Sequence, residues 1–259
     1  MSTTPAFHLI TARDELLDVD VRGALLLGPQ VALVWDTLIR PGDMAGLAPL
    51  IGGRRLLVVY SHADWDHCWG TAGLRAFDPL VLGCVKTLRR FAGDVPATLA
   101  QFRAEAPGRW DDIELIPPAV VCDGFFSVDL GYGCVVEFYP LPGHTEDCLV
   151  AWVPSLGLLL GGDTVETPLP VIEEESPVAE WLAALERWAA EPLLRDVIPS
   201  HGTPGGRTAL EGTIAYLRGW LAGLPPSPEE PLDDFYRTTH ATNVRYAAAH
   251  HTRTKLSPS

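Results

Sequence analysis

Ser61 to Gly70 read SHADWDHCWG, a stretch that packs His62, Asp64, Asp66 and His67 into six consecutive positions. It follows directly on the apolar run Leu56-Leu57-Val58-Val59-Tyr60. A run of that length and composition predicts a buried strand. Just beyond a strand, residues two apart in extended chain point the same way, and a tight turn brings neighbours together. The four side chains can therefore offer imidazole and carboxylate donors to one small volume, a donor set suited to zinc, iron and related ions.

Three further donors recur in the same local setting. His144 lies in Leu141-Pro142-Gly143-His144-Thr145, Asp163 in Leu160-Gly161-Gly162-Asp163-Thr164, and His201 in Ile198-Pro199-Ser200-His201-Gly202. Each follows a predicted strand and a Gly or Pro turn. Taken singly, each is an ordinary turn or cap residue. Repeated, the layout predicts a site built from loops at one edge of stacked sheets, and the ensemble predicts a metal centre.

The set resembles the metallo-β-lactamase fold superfamily, whose usual signature is His-x-His-x-Asp-His, then a Gly-His turn, a Gly-Asp and a late His. The matching residues are His62, Asp66, His67, His144, Asp163 and His201, and Val34-Trp35-Asp36-Thr37 resembles that superfamily's early strand-plus-Asp-Thr element. The resemblance spans roughly residues 20 to 225. It implies an α/β fold, a four-layer αββα sandwich with metals at one edge of its two sheets. Asp64 departs from the pattern, standing where most members have a second histidine. The diiron domain of flavodiiron oxygen and nitric oxide reductases is similar there, with a carboxylate, usually Glu, and a like spacing between the residues matching His144 and Asp163. Those proteins also carry a flavodoxin domain, which the 259 residues of this chain are not expected to hold.

By analogy with both branches, the resemblance implies two divalent metal ions, zinc or iron/manganese. One would take His62, Asp64 and His144, the other Asp66, His67 and His201, with Asp163 bridging them beside a water or hydroxide. Asp64, Asp66, Asp163 and one hydroxide would balance two divalent ions in full, whereas histidine at position 64 would leave one positive charge. A neutral shell makes weaker Lewis acids and favours harder or higher-valent ions, so the site is expected to tolerate iron or manganese better than an all-histidine one.

Composition narrows the partners. The formal charge is −14, and no basic run before the tail is longer than Arg89-Arg90. Such a chain repels phosphate backbones and anionic membranes, so neither nucleic acid nor membrane is an expected partner. The five cysteines are odd in number and form no CxxC pair. With no basic, apolar leader at the N-terminus, the expectation is a reduced, cytoplasmic protein. No stretch reaches the length of a membrane span without polar interruption.

The chain predicts one domain over residues 1–259, with an extension at 225–259 packing back on it. Strands are predicted at Ala24–Leu27, Val31–Trp35, Leu56–Tyr60, Leu80–Leu82, Cys134–Leu141, Cys148–Val153, Leu156–Leu160 and Asp196–Pro199. Pro154-Ser155 marks a hairpin turn. Apolar residues at three- and four-residue steps predict helices at Val178–Ala190 and Thr208–Leu224. Further helices are expected at Asp43–Ile51, Lys86–Phe102 and Asp233–His250, the last after the Pro-rich linker LPPSPEEP. The apolar C-terminal helices could support a homodimer.

Other residues read more quietly. Cys68 is expected to be a buried filler rather than a nucleophile. Asp36 is expected to orient a ligand or fix a turn rather than ligate. Trp65 and Trp69 could wall a pocket or pack the core, the acidic run Glu173–Glu175 should be an exposed loop, and His250-His251 reads as solvated surface. Tyr236, His240 and Asn243 fall on a predicted helix, and Tyr236 and His240 are candidate substrate-binding residues.

The resemblance thus implies a dinuclear hydrolase of a small ester-like molecule, such as a thioester, lactone or related ester, using metal-bound hydroxide. Asp66 would ligate, orient that nucleophile and shuttle its proton. The alternatives are a non-haem diiron oxidoreductase served by a separate flavoprotein, and a non-catalytic metal-binding member. Aspartate at 163, where some zinc β-lactamases have Cys, argues against β-lactam hydrolysis.

Overall fold

The computed structural model describes residues 3–227 and 231–256, with the side chains of 254–256 left aside. The chain is mixed α/β, its strands forming a six-stranded and a five-stranded sheet flanked by helices. It divides into two compact units, one of Met1–Pro140 with Leu149–Leu156, the other of Leu141–Cys148 with Gly157–Ser259.

In the first unit, β1 (Ala6–Asp14), β2 (Val19–Leu27), β3 (Val31–Trp35), β4 (Arg55–Val59), β5 (Leu80–Cys84) and β6 (Val120–Cys122) lie side by side in chain order. The first two pairings are antiparallel, the last three parallel. Parallel strands buried on both faces need continuous apolar runs, and Val31–Trp35 and Leu56–Val59 supply them. The C-terminal ends of β3 and β4 are in register, Trp35 opposite Val59. That register sets Asp36 beside Ser61 and the donor stretch behind it. Ligands in open parallel sheets gather at this end of the strands.

The crossovers carry a 3₁₀ segment at Pro41–Leu47, a single helical turn α1 (Ala48–Ile51) and the short helix α2 (Trp65–Cys68). The expected helix at Asp43–Ile51 is thus mostly 3₁₀. The expected helix over Lys86–Phe102 is two, α3 (Val85–Phe91) and α4 (Asp94–Glu105), broken at Ala92-Gly93. A mixed core of Val34, Val58, Trp69, Leu74 and Trp110 lies beneath them, each under 2 % exposed. The unit is completed by the antiparallel strands β7 (Phe126–Asp129), β8 (Val135–Pro140) and β9 (Leu149–Val153).

In the second unit, β10 (Leu158–Gly162) pairs in parallel with β11 (Asp196–Pro199), with a bulge between Leu160 and Gly162. Helices α5 (Val178–Ala189) and α6 (Arg207–Leu221) bury the apolar stripes predicted for them, and α7 (Asp234–Leu256) follows. His250, expected on the surface, is half-buried with its ring 5.0 Å from that of Trp220, because the amphipathic imidazole packs on an aromatic face of α6. No helix among the described residues is long and apolar enough to cross a membrane.

Candidate metal-binding residues

The first unit gathers four of the predicted donors behind β4. His62 and His67 are fully buried, their rings 4.1 Å apart, and Asp66 is 6 % exposed. Two close approaches fold the stretch into place. The Thr37 N–H donates to the His67 carbonyl at 2.7 Å, and a Cβ on Gly70 would fall 1.8 Å from the Thr37 carbonyl oxygen, so only glycine fits there.

Asp36 adopts a left-handed backbone (φ 59°), which Asp tolerates better than most residues, and aims both oxygens at the stretch. Oδ1 accepts the Ser61 N–H at 2.7 Å and Oδ2 meets His67 Nδ1 at 2.9 Å. A carboxylate can only accept here, so Nδ1 carries the proton and Nε2 the lone pair. Carboxylates fix metal-ligating histidines in this way. Ser61 Oγ lies 2.9 Å from His62 Nδ1.

The other nitrogens face carboxylates. His62 Nε2 is 3.2 Å from Asp64 Oδ2, and His67 Nε2 is 3.8 Å from Asp66 Oδ1. Asp64 turns its second oxygen to Arg90, 2.7 Å from Nη2, and that guanidinium also pairs with Asp94 at 2.8 Å. Sequence reasoning missed Arg90; its spacing to Asp94 is an ordinary helical ion pair, and nothing local ties it to Asp64.

The second unit gathers the remaining three. Asp163 Oδ2 is 3.8 Å from His144 Nε2 and 3.4 Å from His201 Nε2. The His144 and Asp163 turns share one support, Trp181. A Cβ on Gly143 would sit 2.5 Å from the Trp181 ring, and the indole N–H donates to the Thr164 carbonyl at 3.0 Å. His144 Nδ1 faces the Val171 carbonyl at 3.3 Å. A carbonyl only accepts, so this Nδ1 is also the donor and Nε2 again holds the lone pair.

The donor chemistry fits a cation. In each unit one imidazole whose Nδ1 is held as a donor turns its Nε2 lone pair towards a carboxylate oxygen 3.8 Å away, His67 to Asp66 and His144 to Asp163, in buried surroundings. Two such acceptors repel unless a positive charge lies between them. Donor atoms on one tetrahedral zinc stand roughly 3.4 Å apart, given metal–ligand distances near 2.1 Å.

Among the remaining candidates, Cys68 is the expected filler: its thiol donates to the Asp64 carbonyl at 3.3 Å, and burial pushes its pKa well above the usual value. Trp65 and Trp69 share an aromatic cluster with Phe102 and Trp110. They also border a cleft of about 220 Å³ beside Asp64, together with Arg90, Val95 and Thr98. Tyr236 donates to Glu166 Oε1 at 2.9 Å, and His240 Nδ1 lies 2.8 Å from the Tyr216 hydroxyl. Glu166, only 2 % exposed, escaped sequence reading. Its one signal is a lone acid within the otherwise uncharged Thr164–Ile172. Burial raises its carboxyl pKa, and burial raises the Tyr216 phenol to about 12.

Comparison with known proteins identifies the family and the fold. A family model described as the metallo-beta-lactamase superfamily matches residues 24–201. A type 2 metallo-beta-lactamase from Bacillus cereus is 33% identical over 88 residues, 32% of this chain and 34% of that protein. One from Bacteroides fragilis is 30% identical over 89 residues, 32% of this chain and 35% of that protein. The chain thus spans about a third of the length of the curated relatives it matches. Among solved structures, the metallo-beta-lactamase FIM-1 from Pseudomonas aeruginosa in its mono-zinc form superposes with a TM-score of 0.61 at 20% identity, covering 84% of this chain and 92% of that one. A metallo-beta-lactamase from Erythrobacter litoralis gives 0.62 at 17% identity, covering 82% and 92%.

Proposed function

Because the chain belongs to the metallo-beta-lactamase superfamily, we propose that it is a metal-dependent hydrolase of a small ester-like substrate, a thioester, lactone or related carboxyl ester. The observation that carries this is the repeated facing of an imidazole lone pair and a carboxylate oxygen, with Nδ1 of His67 and His144 fixed as a donor elsewhere. In this reading the first unit would supply His62, Asp64, Asp66 and His67 as ligands and the second His144, Asp163 and His201.

Bound there, the ions would supply an activated water and polarise the substrate carbonyl. The chain's own residues do the rest. Asp66 orients the water and takes its proton. Asp36 holds the His67 ring, and Ser61 stands against the His62 ring. The cleft of about 220 Å³ beside Asp64 is small against the 300–1,000 Å³ of drug-sized sites, so it suits a short acyl or ring substituent against Trp65 and Val95. Tyr236 and His240 are the substrate-side residues of this reading on α7, Tyr236 bonded to the Glu166 carboxylate and His240 to the Tyr216 hydroxyl.

A second reading, non-haem diiron oxidoreduction, rests on Asp64. Arg90 opposes it. Its ion pair with Asp64 returns to the shell the positive charge that a carboxylate at this position removes, so the balance matches that of a site with histidine there. Zinc-loaded protein should therefore hydrolyse members of a thioester and lactone panel, and His67→Ala should abolish it. Iron-loaded protein that consumes oxygen with a supplied reductant, while the zinc form hydrolyses nothing in the panel, would reverse the assignment.

A further inference from the structure

We infer that the C-terminal helix α7 sets the metal-ligating state of His144 through Glu166 and the 170–172 segment, making Glu166, Tyr236 and Asn243 positioning residues. The inference rests on His144 being a ligand, as proposed above. The contacts form an unbroken line within the second unit. Tyr236, near the start of α7, donates its hydroxyl to Glu166 Oε1 at 2.9 Å. Glu166 Oε2 accepts the Val171 N–H at 3.1 Å. The carbonyl of the same residue, Val171, accepts from His144 Nδ1 at 3.3 Å.

Asn243, further along α7 and 1 % exposed, grips the residues on either side. Its Nδ2 donates to the Pro170 carbonyl at 2.8 Å, and its Oδ1 accepts the Ile172 N–H at 3.3 Å. The Asn243 amide also donates to the Tyr216 hydroxyl at 3.2 Å, which meets His240 Nδ1. Three consecutive residues, 170 to 172, are thus hydrogen-bonded to side chains from α7 and Glu166, and the middle carbonyl is the one His144 uses.

The chemistry gives the line a purpose. A histidine coordinates through one nitrogen when the other is held as a donor, and the acceptor that holds it sets ring orientation and basicity. A carboxylate is one such acceptor, as Asp36 is for His67. For His144 the acceptor at 3.3 Å from Nδ1 is a peptide carbonyl, and a carbonyl on a loop drifts unless its peptide is held. The Glu166 carboxylate supplies that hold indirectly: accepting the Val171 N–H and anchored by Tyr236, it acts on the loop that carries the carbonyl. Burial raises the Glu166 carboxyl pKa, and each of its two oxygens accepts a hydrogen bond where it is buried.

The test is cobalt and zinc titration of full-length wild type, Glu166→Gln and Tyr236→Phe, with affinities from chelator competition and the cobalt d–d spectrum as reporter. Gln has one acceptor oxygen, so it cannot accept from both Tyr236 and Val171 as Glu166 does. Removing a ligand's supporting partner weakens metal binding about 10–100-fold. We expect one of the bound equivalents to weaken by that factor in Glu166→Gln, with an altered cobalt spectrum, while the other is unchanged. Tyr236→Phe, the milder change, should shift the same equivalent in the same direction by a smaller factor.

Wild-type affinity and spectrum in both variants would overturn the inference, as would equal weakening of every equivalent, which marks general destabilisation. Wild-type protein that binds no cobalt at all would overturn the metal reading itself, and this inference with it.

Discussion

Replacing Arg90 by Met keeps an apolar stem and removes the guanidinium, its charge and its hydrogen-bond donors. Asp64 and Arg90 are 25 % and 18 % exposed and 2.7 Å apart. Breaking a fully buried pair costs about 3–5 kcal/mol and an exposed one about 0–1, so this pair falls between, at about 1–2 kcal/mol. The Asp94 contact adds little, since Asp94 is 54 % exposed. For a chain of this size each kcal/mol is about 2–4 °C in melting temperature, so metal-free Arg90→Met should melt about 2–8 °C lower.

With zinc bound, the ion takes over as the countercharge to Asp64 and the loss should shrink. By linkage, whatever stability is recovered on loading appears as tighter zinc binding, up to about 5–30-fold if recovery is complete. Calorimetric melts of wild type and variant, with and without zinc, read both quantities. Equal losses in the two forms, or no loss in the metal-free form, would refute the claim that Arg90 and a bound ion compete for the Asp64 charge.

Three other outcomes follow from the geometry. Asp36→Asn should leave the fold intact but weaken metal binding about 10–100-fold, read by chelator competition, because an amide no longer enforces the His67 tautomer. Gly143→Ala should lower stability by about 1–3 kcal/mol in denaturant unfolding, since the new methyl would sit 2.5 Å from the Trp181 ring; an unchanged midpoint would show that the His144 turn does not depend on that packing. Thiol titration of the native protein should detect Cys122 well before Cys68, Cys84, Cys134 and Cys148, which are buried, whereas denatured chain should titrate all five at once.

Much of this was legible because the deciding signals are local. Apolar runs ending in Pro or Asp marked β3, β9 and β11, the unbroken run Leu56–Tyr60 marked β4, and three- and four-residue spacing marked α5 and α6. The seven donors stood out because each follows a strand. The opposite cases failed for a common reason. Strand β1, AFHLITARD, carries a mixed pattern suited to an edge strand, and its buried Asp14 only makes sense once Arg109, 95 positions away, is seen donating to it. The short strands β6 and β7 are largely exposed, and at three and four residues they are too short to show a period. Arg90 and Glu166 act through partners distant in sequence, and omitting Arg90 from the charge balance made Asp64 look like a stronger argument for iron than the structure supports. Local pattern reveals ligands; it does not reveal what holds them.

The central claim is that this chain holds metal through the histidines and carboxylates behind its strands. Elemental mass spectrometry on untagged protein purified without chelator tests it most directly, with His67→Ala and His144→Ala measured alongside. The account predicts about two ions per wild-type chain and fewer in each variant. Wild-type protein that carries no metal and takes none up on dialysis against zinc, manganese or ferrous iron would contradict it.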